Sequence, residues 1–578
     1  MFAAKVRGDS MKPKPWHASY DPGVPRDLVL ENITLPGILA RTASTFPEAT
    51  AIRFVNAKIS YAHFAELVST FAGSLEQLGL TRGDRVAIHL PNLPQTLIAF
   101  YGTLAAGGVA VMTNPLYVPR EIEHQWRDAE CKIAITADFL FAGSVSEARS
   151  KVPVQTYIVA SIPDMLGFPL NVLAPFQLRH QSPPAIANVP AESNVHRFPE
   201  LLRGHREGAG SLWERVGSSR LSESDLAVLQ YTGGTTGVAK GAMLTHRNLA
   251  SNAAQNAAWF PMARPGKEVF LAALPYFHVF GLTVGMNYPI FIGGEMVVVA
   301  NPRDIRGLVR AIEHHHVTIF PIVPSMVRAI SNLPKIDDAN LSSVKVCVSG
   351  SAPLPEAALR RFEELTGGKI IEGFGLTEAS PVTHCNPVQG ERVVNSIGLP
   401  MPNTDCRIVS DEDGTDVPLG EAGELLIRGP QVMRAYWNQP NDTAATLRDG
   451  WLHTGDLATM DEHGYFRIVG RKKEMIVAGG YKIYPDEVDR VLALHPDVLE
   501  SATIGVPDDK RGETVKSFVV LHSGRQVQPQ ELMTFCGKHL APYKVPKQIE
   551  LRPELPKSSV MKILRRQLLE EELAKKAR

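Results

Sequence analysis

The sequence predicts an α/β protein. A large multi-layer N-terminal domain, with a small β-barrel subdomain, is expected to precede a small, mobile α+β C-terminal domain. Three observations predict it. Helical and strand-like patterns alternate over residues 1–150, as layers on mostly parallel strands require. From about 385 to 470 the texture changes to short strands with glycine-ended turns, a small antiparallel barrel or sheet. After the charged run GRKKE, Gly470 to Glu474, a compact mixture of helix and strand begins. The expected boundaries are 1–471, with the β-rich part at about 385–470, and 472–578.

The elements follow in order. ISYAHFAELVSTFAGSLEQLGL places apolar residues at helical spacing, and DRVAIHL reads as a short buried strand. PQTLIAFYGTLAAGGVAVMTNP reads as helix, glycine stop and strand. Residues 158–211 are proline-rich and poorly periodic, a surface excursion with some core contacts. Its apolar half, Ile158 to Leu178, leaves a peripheral lipid contact open, although the basic polar face of such elements is missing. DLAVLQY reads as a buried strand, and THRNLASNAAQNAAW as a helix with Thr245 at its N-cap. DCRIVSDEDGTDVP, GEAGELLIRGP and DLATMDEHGYFRIVG supply the β-rich part. PDEVDRVLALHP opens the last unit as a helix with proline in its first turn.

Composition excludes several classes. Lys plus Arg number 60 and Asp plus Glu 60, a balance that argues against a nucleic-acid binder. The five cysteines form no CxxC pair, which argues against a zinc site or disulfide scaffold and for a reducing compartment. The basic N-terminus lacks the apolar stretch of a signal peptide. The most apolar tract, residues 268–302, is interrupted by Pro275, Pro289, Gly293, Gly294 and Glu295, so it reads as buried strand and helix. The cytoplasm is the expected location. Adjacent residues do not share a face, so His314, His315 and His316 make a poor metal site.

The most informative stretch is YTGGTTGVAKGAMLTHRNL, Tyr231 to Leu249. Gly233, Gly234 and Gly237 permit close backbone approach to a ligand. Thr232, Thr235 and Thr236 add hydroxyl donors, and Lys240 a mobile positive charge. Read as strand, loop and helix, the stretch would aim backbone N–H groups at a phosphate. It is no Walker A loop, because Gly241 stands where Ser or Thr must follow the lysine. A G-x-G-x-x-G dinucleotide turn is also absent.

YTGGTTGVAKG resembles the signature of the AMP-forming acyl-CoA synthetase superfamily, usually Y/F-T-S-G-T-T-G-x-P-K-G. Gly233 stands where serine is common, and Ala239 where proline is. Further motifs follow in the family's order. By this resemblance the turn GSAPLP, with Gly350, Ser351, Ala352 and Pro353, lies against adenine; on its own it is a tight strand-to-helix connection. In EGFGLTEASP, Phe374 and Gly375 take the place of the adenine-stacking aromatic and its neighbour. Thr377 resembles the α-phosphate contact and Glu378 the Mg2+ ligand; a hard cation favours carboxylate oxygen. Asp456 in WLHTGDL resembles the ribose-binding carboxylate, and Arg471 the ribose-contacting arginine. Lys473 takes the hinge position, and Gly479 and Gly480 the turn bordering the pantetheine tunnel. Without the resemblance, RKKE would be a solvated charge run. In LPKSSVMKILRRQL, Lys562 aligns with the family's catalytic lysine; Lys557 is its rival, and Met561 replaces the usual glycine. His278 would line the acyl or thiol side, against a plain core reading.

The resemblance implies ATP, Mg2+ and coenzyme A, and a two-step reaction through an acyl-adenylate. No protein nucleophile is needed, and no G-x-S-x-G appears. The C-terminal domain would swivel to serve both steps. The stretches at Trp16 to Pro25 and Asn114 to Trp126 most resemble bacterial long-chain fatty-acid ligases. A medium-chain or aryl ligase, and a fatty-acyl-AMP ligase loading a carrier protein, stay open as alternatives. So does a homodimer. Trp259 is either a gate of an acyl tunnel or plain core.

Overall fold

Two parallel-rich sheets carry the bulk of the chain. The structure, a computed structural model, describes residues 14–181, 184–203, 211–218, 221–232, 239–508, 511–557 and 563–576. One sheet has nine strands; its inner members, among them Val269–Ala272, Ile319–Ile322, Val346–Ser349 and Lys369–Gly375, pair in parallel. The other has seven strands, parallel from Val195–Arg197 across to Leu226–Thr232. Helices cover these sheets, so strands such as Val109–Met112, Ile319–Ile322 and Val346–Ser349 are buried at every position. This is the α/β class that the alternating sequence predicts.

A five-stranded antiparallel sheet contains Asp405–Val409, Gly423–Arg428, Leu447–Arg448, Trp451–Met460 and Phe466–Arg471. Its pairing runs as an open path among the described residues. A second five-stranded sheet, built around Val498–Asp508 and Gly512–Leu521, follows in the C-terminal part. Helix Pro485–Leu492 packs there with Pro485 in its first turn and with Asp486 and Glu487 at its positive end.

Local chemistry accounts for the main helices. Tyr61–Gln77 starts where the Ser60 side chain accepts from the His63 amide. Pro94–Ala105 is buried on every side. The apolar tract 268–302 forms two strands, Val269–Ala272 and Glu295–Val298, joined by short helical pieces. No helix among the described residues is long and apolar enough to cross a membrane.

Two readings need correction. The phosphate-loop stretch is not strand, loop and helix. Lys240–Thr245 is itself a strand, antiparallel to Leu226–Thr232, and helix His246–Trp259 begins only after it, capped by Thr245. The helix N-terminus therefore does not follow the loop directly. The excursion after Ile158 is more ordered than its composition suggests: helix Leu170–Arg179 forms despite Pro175 in its interior, which hides the helical period. Phe168, Val172, Leu173 and Phe176 stand exposed on or beside it. Of the two readings of Trp259, the core one fits the structure: it is 1% exposed and its indole N–H donates to the Asn386 carbonyl at 3.1 Å.

Cys131, Cys347, Cys385 and Cys536 are buried and Cys406 is half-buried. Burial pushes every one of these thiols up, that of Cys536 to about 11.

Candidate active site

The two large sheets, the antiparallel sheet and the C-terminal unit meet around one cleft of about 1540 Å3. Its wall contains Thr232, Lys240, His278, Gly350, Ser351, Phe374, Gly375, Thr377, Glu378, Asp456, Arg471 and Lys473. Gly233, Gly234, Thr235, Thr236, Gly237 and Lys562 lie outside the described residues.

The hairpin sets the first corner. Thr232 and Lys240 are register partners, so both sit at the same ladder position at the loop end of the hairpin. Segment 433–437 extends this edge: the Met243 amide donates to the Ala435 carbonyl at 2.9 Å, and Trp437 to that of Gly241 at 2.8 Å. The pairing brings Tyr436 under Lys240, with the ammonium 5.5 Å from the ring centroid. Lys240 Nζ lies 2.5 Å from Asp442 Oδ1. The Tyr436 hydroxyl donates to Glu378 Oε1 at 2.6 Å. One segment thus tethers both the cation and the carboxylate of the cleft. Tyr436 and Asp442 were not legible as site residues, because AYWNQPND carries no periodic signal and its place depends on pairing with a strand far away in sequence.

The second corner is the end of strands Val346–Ser349 and Lys369–Gly375. Ser351 takes a left-handed backbone, φ +74°. Gly350 faces Phe280 so closely that a Cβ would sit 3.0 Å from the ring. Ala352 and Pro353 are exposed and do not line the cleft. Behind the turn, Glu372 Oε1 accepts from the Leu354 amide at 3.0 Å. Burial pushes the Glu372 carboxyl up to about 7. The fold therefore favours its protonated form. That contribution is fully present below the ordinary value of 4.5 and is lost as pH rises through about 7. Glu372→Gln keeps an acceptor for Leu354 and removes the titration. Its stability relative to wild type is expected to rise by on the order of 2–3 kcal/mol between pH 5 and pH 8. Urea unfolding across that range checks this, and parallel curves would refute it.

Asp456 and Arg471 make the third corner. They face each other across adjacent strands, with Arg471 Nε 2.9 Å from Asp456 Oδ1, and Asp456 is 2% exposed. Glu424, another residue sequence reading missed, accepts from the Gly455 amide at 3.2 Å and pairs with Lys472 at 3.3 Å. His278 caps the short helix Val279–Leu282, its Nδ1 accepting from the Phe280 amide at 3.3 Å.

From the C-terminal unit, Lys557 and Leu564 reach the cleft wall. Lys557 and Ile563 pair across an antiparallel bridge, and Lys557 Nζ lies 2.8 Å from Glu500. Gly479 and Gly480, at φ +61° and +84°, form the two-residue turn between Ile476–Ala478 and Tyr481–Ile483. That turn does not line the cleft in this arrangement.

Residues 39–437 match the AMP-binding enzyme family, and residues 487–562 match the AMP-binding enzyme C-terminal domain. The chain belongs to the AMP-binding enzyme family. It is 45% identical to a long-chain-fatty-acid–CoA ligase of Bacillus subtilis, over 97% of this chain and 98% of that one. The ligase of the same description from Yersinia pestis is 41% identical, over 97% and 98%. Among solved structures, the anthranilate CoA ligase AuaEII in complex with anthranoyl-AMP superposes with a TM-score of 0.83 at 25% identity, covering 95% of this chain and 99% of that one.

Proposed function

We infer that this chain is an ATP-dependent ligase that converts a long-chain fatty acid and coenzyme A to acyl-CoA, AMP and pyrophosphate. The observation that carries the reading is the convergence of Lys240, Thr377, Glu378 and the Asp456–Arg471 pair on one cleft, in a chain related end to end to long-chain ligases.

Each residue then has a task. A carboxylate oxygen of the fatty acid attacks the α-phosphorus, and the bond to the bridging oxygen breaks as pyrophosphate leaves. Thr232, the glycines and threonines of 233–237, and Lys240 hold the phosphates as donors and charge. Gly350 and Ser351 shape the purine side, where Phe374 offers its ring face and Gly375 gives room. Asp456 accepts from the ribose hydroxyls, with Arg471 orienting it. Thr377 donates to the α-phosphate, and Lys562 adds an ammonium where charge develops. In the second step the coenzyme A sulfur attacks the acyl carbon, the thiol proton is lost, and AMP departs. Lys473 is the pivot between the steps, the Gly479–Gly480 turn borders the thiol path, and His278 lines the acyl side.

The donor set suits Mg2+. Glu378 presents carboxylate oxygen at the cleft wall with one oxygen steadied by Tyr436. Bound there, Mg2+ would offset charge on the phosphate oxygens. The exposed side chains of Phe168, Val172, Leu173 and Phe176 favour a further reading, contact with the lipid phase into which such an acid partitions.

The test is pyrophosphate release and thioester formation with acetate, octanoate, palmitate and cinnamate, each with and without coenzyme A. Palmitate is expected to be the best substrate, and the protein to pellet with phospholipid vesicles. ADP as the sole nucleotide product would overturn the reaction. Preference for cinnamate would overturn the substrate, and pyrophosphate release without thioester would favour a carrier-protein loader.

A further inference from the structure

The turn between the antiparallel sheet and the C-terminal unit is held by ion pairs on both flanks. Arg471 ends the strand Phe466–Arg471, and a single helical turn, Lys472–Glu474, follows. On one flank, Lys472 Nζ lies 2.9 Å from Asp411 Oδ1 and 3.3 Å from Glu424 Oε2. Asp411 follows strand Asp405–Val409, and Glu424 lies in strand Gly423–Arg428, so both anchors belong to the antiparallel sheet. On the other flank, Arg565 Nη1 donates to Glu474 Oε2 at 2.8 Å. The same guanidinium bonds Asp486 and Asp489 of helix Pro485–Leu492, the latter at 2.8 Å. Asp489 also accepts from the Thr503 amide at 3.1 Å and the Thr503 hydroxyl at 2.7 Å, which fixes it to the C-terminal sheet. Arg565 begins the last helix, Arg565–Lys576.

These contacts divide cleanly between the two units. Among the described residues, Lys472 is ion-paired only to acidic groups that precede the turn; Glu474 is paired to a cation that follows it. Between the two anchored residues stands Lys473, and no ion pair is found for it among the described residues. Arginine suits the second anchor, since its planar fork offers several donors to several carboxylates at once.

We propose that Lys472 with Asp411 and Glu424, and Glu474 with Arg565, are two electrostatic mounts that confine rotation of the C-terminal unit to the backbone of Lys473. Arg565 and Glu474 are then positioning residues. Glu474 also lies on the cleft wall, and its part here is through Arg565: the pair fixes how the last helix follows the pivot. The proposal rests on the two-step reading above.

The test combines distance and rate. The native thiols are buried or half-buried, so spin labels can be placed through Glu412→Cys and Lys538→Cys, both exposed and on opposite sides of the turn. Glu474→Gln, Arg565→Lys and Lys472→Gln are each expected to broaden the inter-label distance distribution at least twofold. They are expected to slow acyl-adenylate formation about tenfold, as small misplacement of a reacting group does, while thioester formation from supplied acyl-adenylate changes less than threefold. Glu570→Gln, which removes an exposed pair with Arg566 on the same helix, should leave distances and rates as in wild type. Unchanged distributions in all three variants would overturn the proposal. So would broadening that appears equally in Glu570→Gln, or equal loss in both half-reactions. A wild-type protein that forms no acyl-adenylate would instead overturn the two-step reading, and the distance measurement would still judge the mounts.

Discussion

Replacing Lys562 by alanine is expected to slow acyl-adenylate formation by about 10²–10³-fold. The reason is local charge. During displacement at phosphorus, negative charge gathers on the α-phosphate oxygens and the incoming carboxylate, and an ammonium between them lowers the barrier. Transfer of the acyl group to a thiol places no such demand there, so thioester formation from supplied acyl-adenylate should change only a few-fold. Lys557 gives the control. Its ammonium is already bonded to Glu500 at 2.8 Å, and Lys557→Ala is expected to have the smaller effect on the first step. Pyrophosphate exchange and single-turnover thioester formation separate the two. Parallel loss in both half-reactions of Lys562→Ala would remove the lysine from its assigned role.

Gly375→Ala is expected to be the most damaging small substitution in the cleft. An added Cβ would lie 2.1 Å from the Pro381 carbonyl oxygen and 2.6 Å from its carbon. Those atoms are backbone and cannot turn aside as a side-chain tip can. The Leu376 amide donates to that same carbonyl at 3.1 Å, so a shift propagates into the turn carrying Thr377 and Glu378. The expected cost is about 3 kcal/mol of stability, with kcat/KM for ATP falling about 10²-fold from misplacement of the neighbouring groups. Urea midpoints and steady-state kinetics read the two effects separately. A variant as stable and as active as wild type would show that strand end to be more yielding than its packing implies.

Some of this architecture could be read from residues alone. Helix Tyr61–Gln77 announced itself by apolar spacing, and helix Pro485–Leu492 by proline and acids in its first turn. Those signals are local, as the forces behind them are. The strand Lys240–Thr245 was not legible, because its partners are the preceding strand and segment 433–437, and GAMLT alone has no decisive period. Helix Leu170–Arg179 was hidden by Pro175 and by the lack of a polar face. In the cleft, Asp456 and Arg471 could be picked out by motif, but only the ladder between their strands explains why they meet. Tyr436 and Asp442 had no motif to betray them; tertiary pairing alone sets them beside Lys240.

That last arrangement changes what it means for the cleft to take up a triphosphate. Lys240 is not a bare cation awaiting an anion, since Asp442 already neutralises it at 2.5 Å. If Lys240 holds phosphate as proposed, arrival of nucleotide exchanges counter-ions and departure of pyrophosphate reverses the exchange, with the aspartate placed to take the lysine back. Some grip on the incoming molecule would then be given up, and the outgoing fragment would not be trapped. Asp442→Asn should therefore hold nucleotide more tightly and shed pyrophosphate more slowly, seen as a lower KM for ATP together with a lower kcat; a rise in both would show that the carboxylate has no such part in turnover.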